Sequence, residues 1–530
     1  MMVSQPIDHA ALLPLYLAAA TAAVALFAGR LAKACTMIGL SISAGAAIWI
    51  GVGADRRTFA VGEWHSYIAS DATMGLAALF ALLTVLVAAL SARAGAEYCF
   101  LLAASAAGGI TLAGSGDLIT LIVALETLTV PLYVLVTRPG RDGAEAGVTF
   151  LIASIASSAT ALMGAALLYA ASGTVHFAGL ATELAGAHPG LVAAGVALLL
   201  GGLAFKLAAA PLHAWAPLVL ERAPLPIATY LASASKLGGA VAITWVVYFG
   251  LAPQAGLPAG IVLAALSVAS IAVGNVAALV QRRTVSLLAW SGIAHAGYVL
   301  APLAALATAA GRGAPDAAAS AALAYAVFFV LLEAGAFAAL TAVRPDTETE
   351  TATATATAEK GRTPEPLLSR GDLSAPDLKV NAGTLRSSTE LSHPRATIES
   401  GGPQGSDLKA SAGNITELAG LFRTAPLPAT VFLIAVVGLS GLPPALAGTF
   451  AKIVILEFLA SSAVWLAIIV AAGAIVGLAY YLPLARTVLL GRGTPTPKAR
   501  FTIAVAVIGL VLLAIGLAPQ TVLEFTRISQ

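Results

Sequence analysis

The run from Gly190 to Leu220, GLVAAGVALLLGGLAFKLAAAPLHAWAPLVL, decides how the rest of the chain is read. It is apolar for longer than the roughly 20 residues a helix needs to cross the hydrocarbon core of a bilayer. Yet Lys206 stands near its middle, and Pro211 and Pro217 follow. Proline removes a backbone donor and clashes with the turn before it. In lipid the freed carbonyls must find partners in protein or water. An ionisable side chain beside a helix break at membrane depth is therefore a functional signal, and such breaks are a known way to line an ion path.

A second overlong run, 427–460, repeats the pattern with Pro443, Pro444 and Gly448 before Lys452. Further apolar windows fall near 10–29, 34–53, 73–92, 98–115, 117–137, 148–171, 226–249, 257–280, 285–307, 317–342, 463–490 and 502–521. The sequence thus predicts an all-α integral membrane protein of about fourteen transmembrane helices. Composition agrees: 59% of the 530 residues are hydrophobic and 10% charged, against about 25% charged in a soluble domain. The net charge of +2 points to no nucleic-acid partner. Cys35 and Cys99 are too few for a four-thiolate zinc or iron–sulfur site. The chain has no P-loop and no dinucleotide fingerprint.

Residues 344–425 differ from the rest. They open on the Thr347–Ala358 low-complexity run and continue with proline, glycine, serine and charges of both signs. The expectation is a disordered linker. With the N-terminus outside, inside loops other than this linker hold twelve basic residues (Arg30, Lys33, Arg93, Arg138, Arg141, Arg222, Arg282, Arg283, Arg486, Arg492, Lys498 and Arg500). Outside segments hold four, Arg56, Arg57, Arg312 and Arg527. The positive-inside bias puts the linker in the cytoplasm and both termini outside.

Which basic residues enter the membrane is the sharpest signal. Of 28 basic residues, 20 are arginine and 8 lysine, yet the mid-span ones are Lys206, Lys236 and Lys452, and none is arginine. Arginine keeps its proton, whereas a buried lysine can lose it near neutral pH. Glu126, near the middle of the fifth span, is a candidate partner that holds or frees a lysine proton. His295 lies mid-span among small residues and titrates near neutral pH, so it is a candidate relay. Glu145, His213 and Glu333 are possible accessory groups. Glu145 also reads as an ordinary helix-start acid. Glu457, five residues after Lys452, does not share its helix face well.

At these residues the chain resembles the antiporter-like membrane subunits of bacterial proton-pumping NADH–quinone oxidoreductase, respiratory complex I. Phe205-Lys206 through Pro211-Leu212-His213-Ala214-Trp215, then Ala223-Pro224-Leu225-Pro226 and Ala234-Ser235-Lys236, carry the resemblance. So do Pro131 to Val136, Glu145-Ala146-Gly147, Ser291 to Tyr298, Gly335-Ala336-Phe337, and Gly441-Leu442-Pro443-Pro444 through Lys452. The Ala-Ser-Lys form at 234–236 is similar to subunit N rather than to its siblings L and M.

The resemblance implies two inverted five-helix repeats, each with a broken helix. Residues 1–97 would hold three leading helices and 98–249 the first repeat. The second, 257–490, would be interrupted by the linker, and 502–521 would form a last helix. It implies a buried charged axis in which Glu126 pairs with Lys206, Lys236 and His295 connect, and Lys452 ends the second repeat. It implies other membrane subunits as partners in a bacterial plasma membrane. NAD, FMN, iron–sulfur clusters and quinone would bind in those partners, leaving this chain no cofactor and no catalytic site of its own. Glu333 departs from the family, which usually has a neutral polar residue there. Two rival readings remain: a subunit of a multi-subunit sodium/proton antiporter, and a non-conducting structural subunit.

Overall fold

A computed structural model of the chain describes residues 7–92, 94–137, 141–344, 413–491 and 502–528. Ten helices among them are long and apolar enough to cross a membrane, and Leu13–Phe27, Pro426–Ser440 and Thr502–Leu517 are shorter apolar helices. The two spans read at 226–249 and 257–280 run together as one helical stretch, Leu225–Leu279. Non-helical backbone at Ala255 breaks it. Helix starts follow local chemistry. Ser70 and Thr73 form a reciprocal capping box before Asp71–Leu90, and the Asp117 carboxylate accepts from Thr120 N at 2.7 Å.

Among the described residues, one element is not helical. Strands Arg56–Val61 and Trp64–Ala69 form an antiparallel hairpin. Its second strand docks on the turn after Ala96–Ala113 through Ile68 N to Gly114 O and Gly116 N to Ser66 O, both 2.8 Å.

Helices meet through small residues. A Cβ at Gly202 would lie 2.6 Å from Ala161 N, and one at Gly164 would lie 2.2 Å from Leu199 N. Only hydrogen at these positions lets Arg141–Ser172 and Pro189–Lys206 approach so closely, as apolar packing in lipid requires. Burial then sorts the helices. The apolar window of Pro315–Val343 is 100% enclosed by the chain itself, whereas that of Val464–Leu490 is 33% enclosed. Charged side chains on the enclosed helices are shut away from lipid.

The expected linker 344–425 is corrected at its two ends. Residues 345–412 lie outside the described residues, but Arg344 and the chain from Gly413 onward are fixed in place. Gly413 O accepts from Thr284 N at 3.0 Å and from Arg344 Nη2 at 3.1 Å. Ile415 N donates to Arg282 O and Gly420 N to Thr487 O. Backbone hydrogen bonds to neighbouring helix ends hold this piece, and a reading based on large apolar residues misses them. Arg344 and Gly413 are one side chain apart, so a short Gly/Ser segment can replace residues 347–412. Changing loop length alters closure entropy only slowly, by about 0.6 kcal/mol per doubling. The shortened chain is expected in the membrane at native amount with an unchanged Tm. A lost or destabilised chain would show that the segment is held by contacts.

Candidate functional site

Lys206 ends the first half of a broken helix. Pro189–Lys206 stops, Ala208 takes a left-handed φ of +60°, and the helix resumes at Trp215–Arg222. The freed backbone groups are met inside the protein. Ala210 N donates to Ser270 Oγ at 2.8 Å, and Trp215 Nε1 donates to Phe205 O at 3.2 Å. Trp215 stacks on Phe150, ring centroids 4.7 Å apart. Lys206 is buried, and its ammonium donates to Glu126 Oε1 (3.0 Å), Thr129 Oγ1 (3.2 Å) and Ser154 Oγ (2.9 Å). Three oxygens meet the three donors of an ammonium. Ser158 also donates to Glu126 Oε1 at 2.5 Å. Glu126 is the open member of the pair, with 31% of its side chain exposed against 6% for Lys206.

The middle of the molecule holds a second pair. Lys236 directly follows a π-helical turn, Leu231–Ser235; such turns occur often at functional sites. Its Nζ lies 3.0 Å from Glu333 Oε2, and each side chain is 1% exposed. The Phe329 ring lies 5.1 Å from the same nitrogen. Room for the pair comes from Gly292, where a Cβ would stand 2.1 Å from Lys236 Nζ. His295 lies on the same helix as Gly292, Thr284–Ala304. Its Nδ1 is 2.8 Å from Tyr325 OH, and its Nε2 is 3.3 Å from Tyr481 OH. Beyond it, Asn275 Nδ2 donates to Tyr298 OH at 3.2 Å and Tyr480 OH donates to Asn275 Oδ1 at 3.0 Å.

Lys452 closes the row on the second broken helix. Pro426–Ser440 ends on Gly441, whose φ of +80° favours glycine, and the helix resumes at Leu446–Ser462. Lys452 Nζ reaches back to the last carbonyls of the first half, Leu439 O at 3.0 Å and Ser440 O at 2.6 Å. A cation there meets unsatisfied carbonyls and the negative end of the helix dipole. The same nitrogen lies 5.8 Å from the Tyr298 ring. No carboxylate forms a salt bridge with Lys452 among the described residues.

The expected pair Glu126–Lys206 is thus in contact, and His295 and Lys452 flank one group of tyrosines. Lys236 and His295 share no hydrogen bond; Lys236 is bonded to Glu333 instead. Glu145 pairs with Arg222 at 2.8 Å, and its side chain is 58% exposed, well away from the buried row. The His213 ring rests against Trp290, centroids 5.3 Å apart. Sequence reading missed Ser154, Thr129, Tyr325 and Tyr481, whose residue types recur throughout the chain. Asn275, an amide in an apolar span, did offer a signal.

Buried ion pairs are poor sources of stability, because desolvation offsets their attraction. One fully buried pair, one half-buried pair and a buried lysine, set beside two helix breaks, define a membrane-embedded helical protein of the antiporter-like class. The chain belongs to the NADH:quinone oxidoreductase/Mrp antiporter transmembrane family, whose model matches residues 115–360 and 405–477. A NADH-quinone oxidoreductase subunit N from Salinispora tropica is 44% identical over 505 residues, 91% of this chain and 85% of that one. A subunit N 2 from Streptomyces griseus is 33% identical, covering 90% of this chain and 84% of that one. A chain of respiratory complex I from Thermus thermophilus superposes with a TM-score of 0.72 at 27% identity, covering 96% and 98% of the two chains. A chain of the Mrp complex from a Dietzia species shares the fold, with a TM-score of 0.74 at 19% identity over 98% and 97%.

Proposed function

We propose that this chain is the proton-translocating subunit N of a bacterial NADH–quinone oxidoreductase, with Glu126, Lys206, Lys236, His295 and Lys452 carrying the protons. One observation carries the reading: ionisable side chains set within apolar helices, three of them buried lysines, with each broken helix supplying one. The similarity to subunit N relatives supports the assignment to this complex. In this reading other membrane subunits flank the chain, and NAD, FMN, iron–sulfur clusters and quinone bind in partner subunits.

The chemistry follows from the pairs. A carboxylate against a lysine favours the ammonium form, and withdrawing it frees the proton. Glu126 is suited to move, being the more exposed member, while Ser154 and Thr129 keep Lys206 in position. Quinone reduction elsewhere in the complex would drive that movement. The tyrosines and Asn275 between His295 and Lys452 offer hydroxyl and amide groups for onward transfer. The deciding experiment is quinone-coupled proton uptake in vesicles carrying substitutions along the row.

The sodium/proton antiporter reading draws on the Mrp likeness, but at 19% identity that likeness shows the fold alone. Sodium dependence of NADH-driven uptake separates the two. Orientation is a further part of the proposal: both termini outside, residues 345–412 in the cytoplasm, supported by the basic-residue bias. Single cysteines at Ser369 and Gln530, with Cys35 and Cys99 replaced, are expected to label from opposite sides of the membrane. Labelling from the same side would contradict this topology.

A further inference from the structure

We propose that Glu333 is a proton-carrying residue, taking a proton directly from Lys236 and releasing it on the side of His295. The inference rests on the proton-translocating reading above and adds a carrier between two of its groups.

The surroundings of Glu333 set it apart from a fixed counter-ion. It is 0% exposed, on the one helix among the described residues whose apolar window is wholly enclosed by the chain. Oε2 lies 3.0 Å from Lys236 Nζ, within reach for direct proton transfer. That oxygen is the one hydrogen-bond acceptor for Lys236 Nζ among the described residues, whereas Lys206 has three. Transfer therefore disturbs one bond. An N–H bond breaks at Nζ, an O–H bond forms at Oε2, and ammonium plus carboxylate become amine plus carboxylic acid. No electron moves and the net charge is unchanged, so no lone charge is left in the interior, the state that is most costly for a buried pair.

The exit lies on the other oxygen's side: a half-turn of the neutral carboxyl group carries the proton from the Lys236 side to the side where Oε1 now lies. Oε1 is buried and bonds to no described residue. It faces the space beside Gly292, 2.9 Å from where a Cβ would stand. Gly292 and His295 are three residues apart on one helix and share a face. Phe329, one turn before Glu333, stacks on the His295 ring at 4.9 Å. The Tyr481 hydroxyl is bonded to His295 Nε2 at 3.3 Å. Glu333 thus meets Lys236 at Oε2 and, at Oε1, the Gly292 position of the helix that carries His295.

The test is infrared difference spectroscopy of the intact complex in vesicles, triggered by NADH, with proton uptake measured in parallel. The expected result is a protonated-carboxyl C=O band that shifts in D2O, is absent in Glu333→Gln and is displaced in Glu333→Asp. Uptake in assembled Glu333→Gln is expected to fall by roughly tenfold or more, since a positioned proton-transfer group contributes on the order of a hundredfold. If Glu333→Gln fails to assemble, the displaced band in Glu333→Asp makes the assignment. Wild-type vesicles that pump while showing no band dependent on position 333 overturn this proposal alone. Wild-type vesicles that do not pump overturn the reading beneath it.

Discussion

Lys206→Arg is expected to stop proton pumping nearly as completely as Lys206→Ala, in a complex that still assembles. The ammonium of Lys206 sits among three oxygens at 2.9–3.2 Å. If the lysine were a fixed charge opposing Glu126, arginine would serve, because it keeps the charge and bonds carboxylates well. If the lysine must give up its proton in each cycle, arginine fails, because it cannot be deprotonated in proteins. The expected loss is roughly tenfold or more, the scale of a missing proton-transfer group. The initial rate of NADH-driven acidification of inverted vesicles reads it, normalised to the amount of intact complex. Near-wild-type pumping by Lys206→Arg would make the charge structural.

Gly292→Ala is the second substitution expected to have a large effect, although it adds one methyl group. The new Cβ would stand 2.1 Å from Lys236 Nζ and 2.9 Å from Glu333 Oε1. Both contacted atoms are ends of flexible side chains, so they shift, and the 3.0 Å pair is pulled out of register. Removing one partner of a buried pair costs about 3–5 kcal/mol, which is the upper bound for this displacement. Both a lower Tm and lost pumping are expected. Gly201→Ala is the matched control: it lies on the Lys206 half-helix with nothing within 4 Å of its Cβ position. It should pump normally and gain about 0.5–1 kcal/mol from the lower backbone entropy of its unfolded state. Equal effects from the two alanines would show that the Lys236–Glu333 geometry does not matter.

Residue type and depth made part of this site legible in the sequence. Lys206, Lys236, Lys452 and His295 stand out because charge inside an apolar span needs no partner to be noticed. The helix breaks were visible because proline and glycine act locally. Pairing was harder. Lys236 and Glu333 are 97 residues apart, and nothing in residue order says which of many helices lie side by side. The resemblance supplied Glu126 for Lys206, but where Glu333 departs from the family it offered no partner. The hydrogen bonds of Ser154, Thr129, Tyr325 and Tyr481 depend on helix rotation, which weak amphipathicity in an all-apolar span does not fix. The packed segment after Gly413 was missed for a related reason. Its order rests on backbone hydrogen bonds, which leave no mark on composition.

The most direct test is the number of protons taken up per NADH oxidised in sealed inverted vesicles, with and without sodium. Wild type should be compared with a chain carrying Lys206→Ala and Lys452→Ala together. The account predicts sodium-independent uptake in wild type and a lower proton-to-NADH ratio when both lysines are removed from an assembled complex. An unchanged ratio in the double variant, or wild-type uptake that requires sodium, would contradict it.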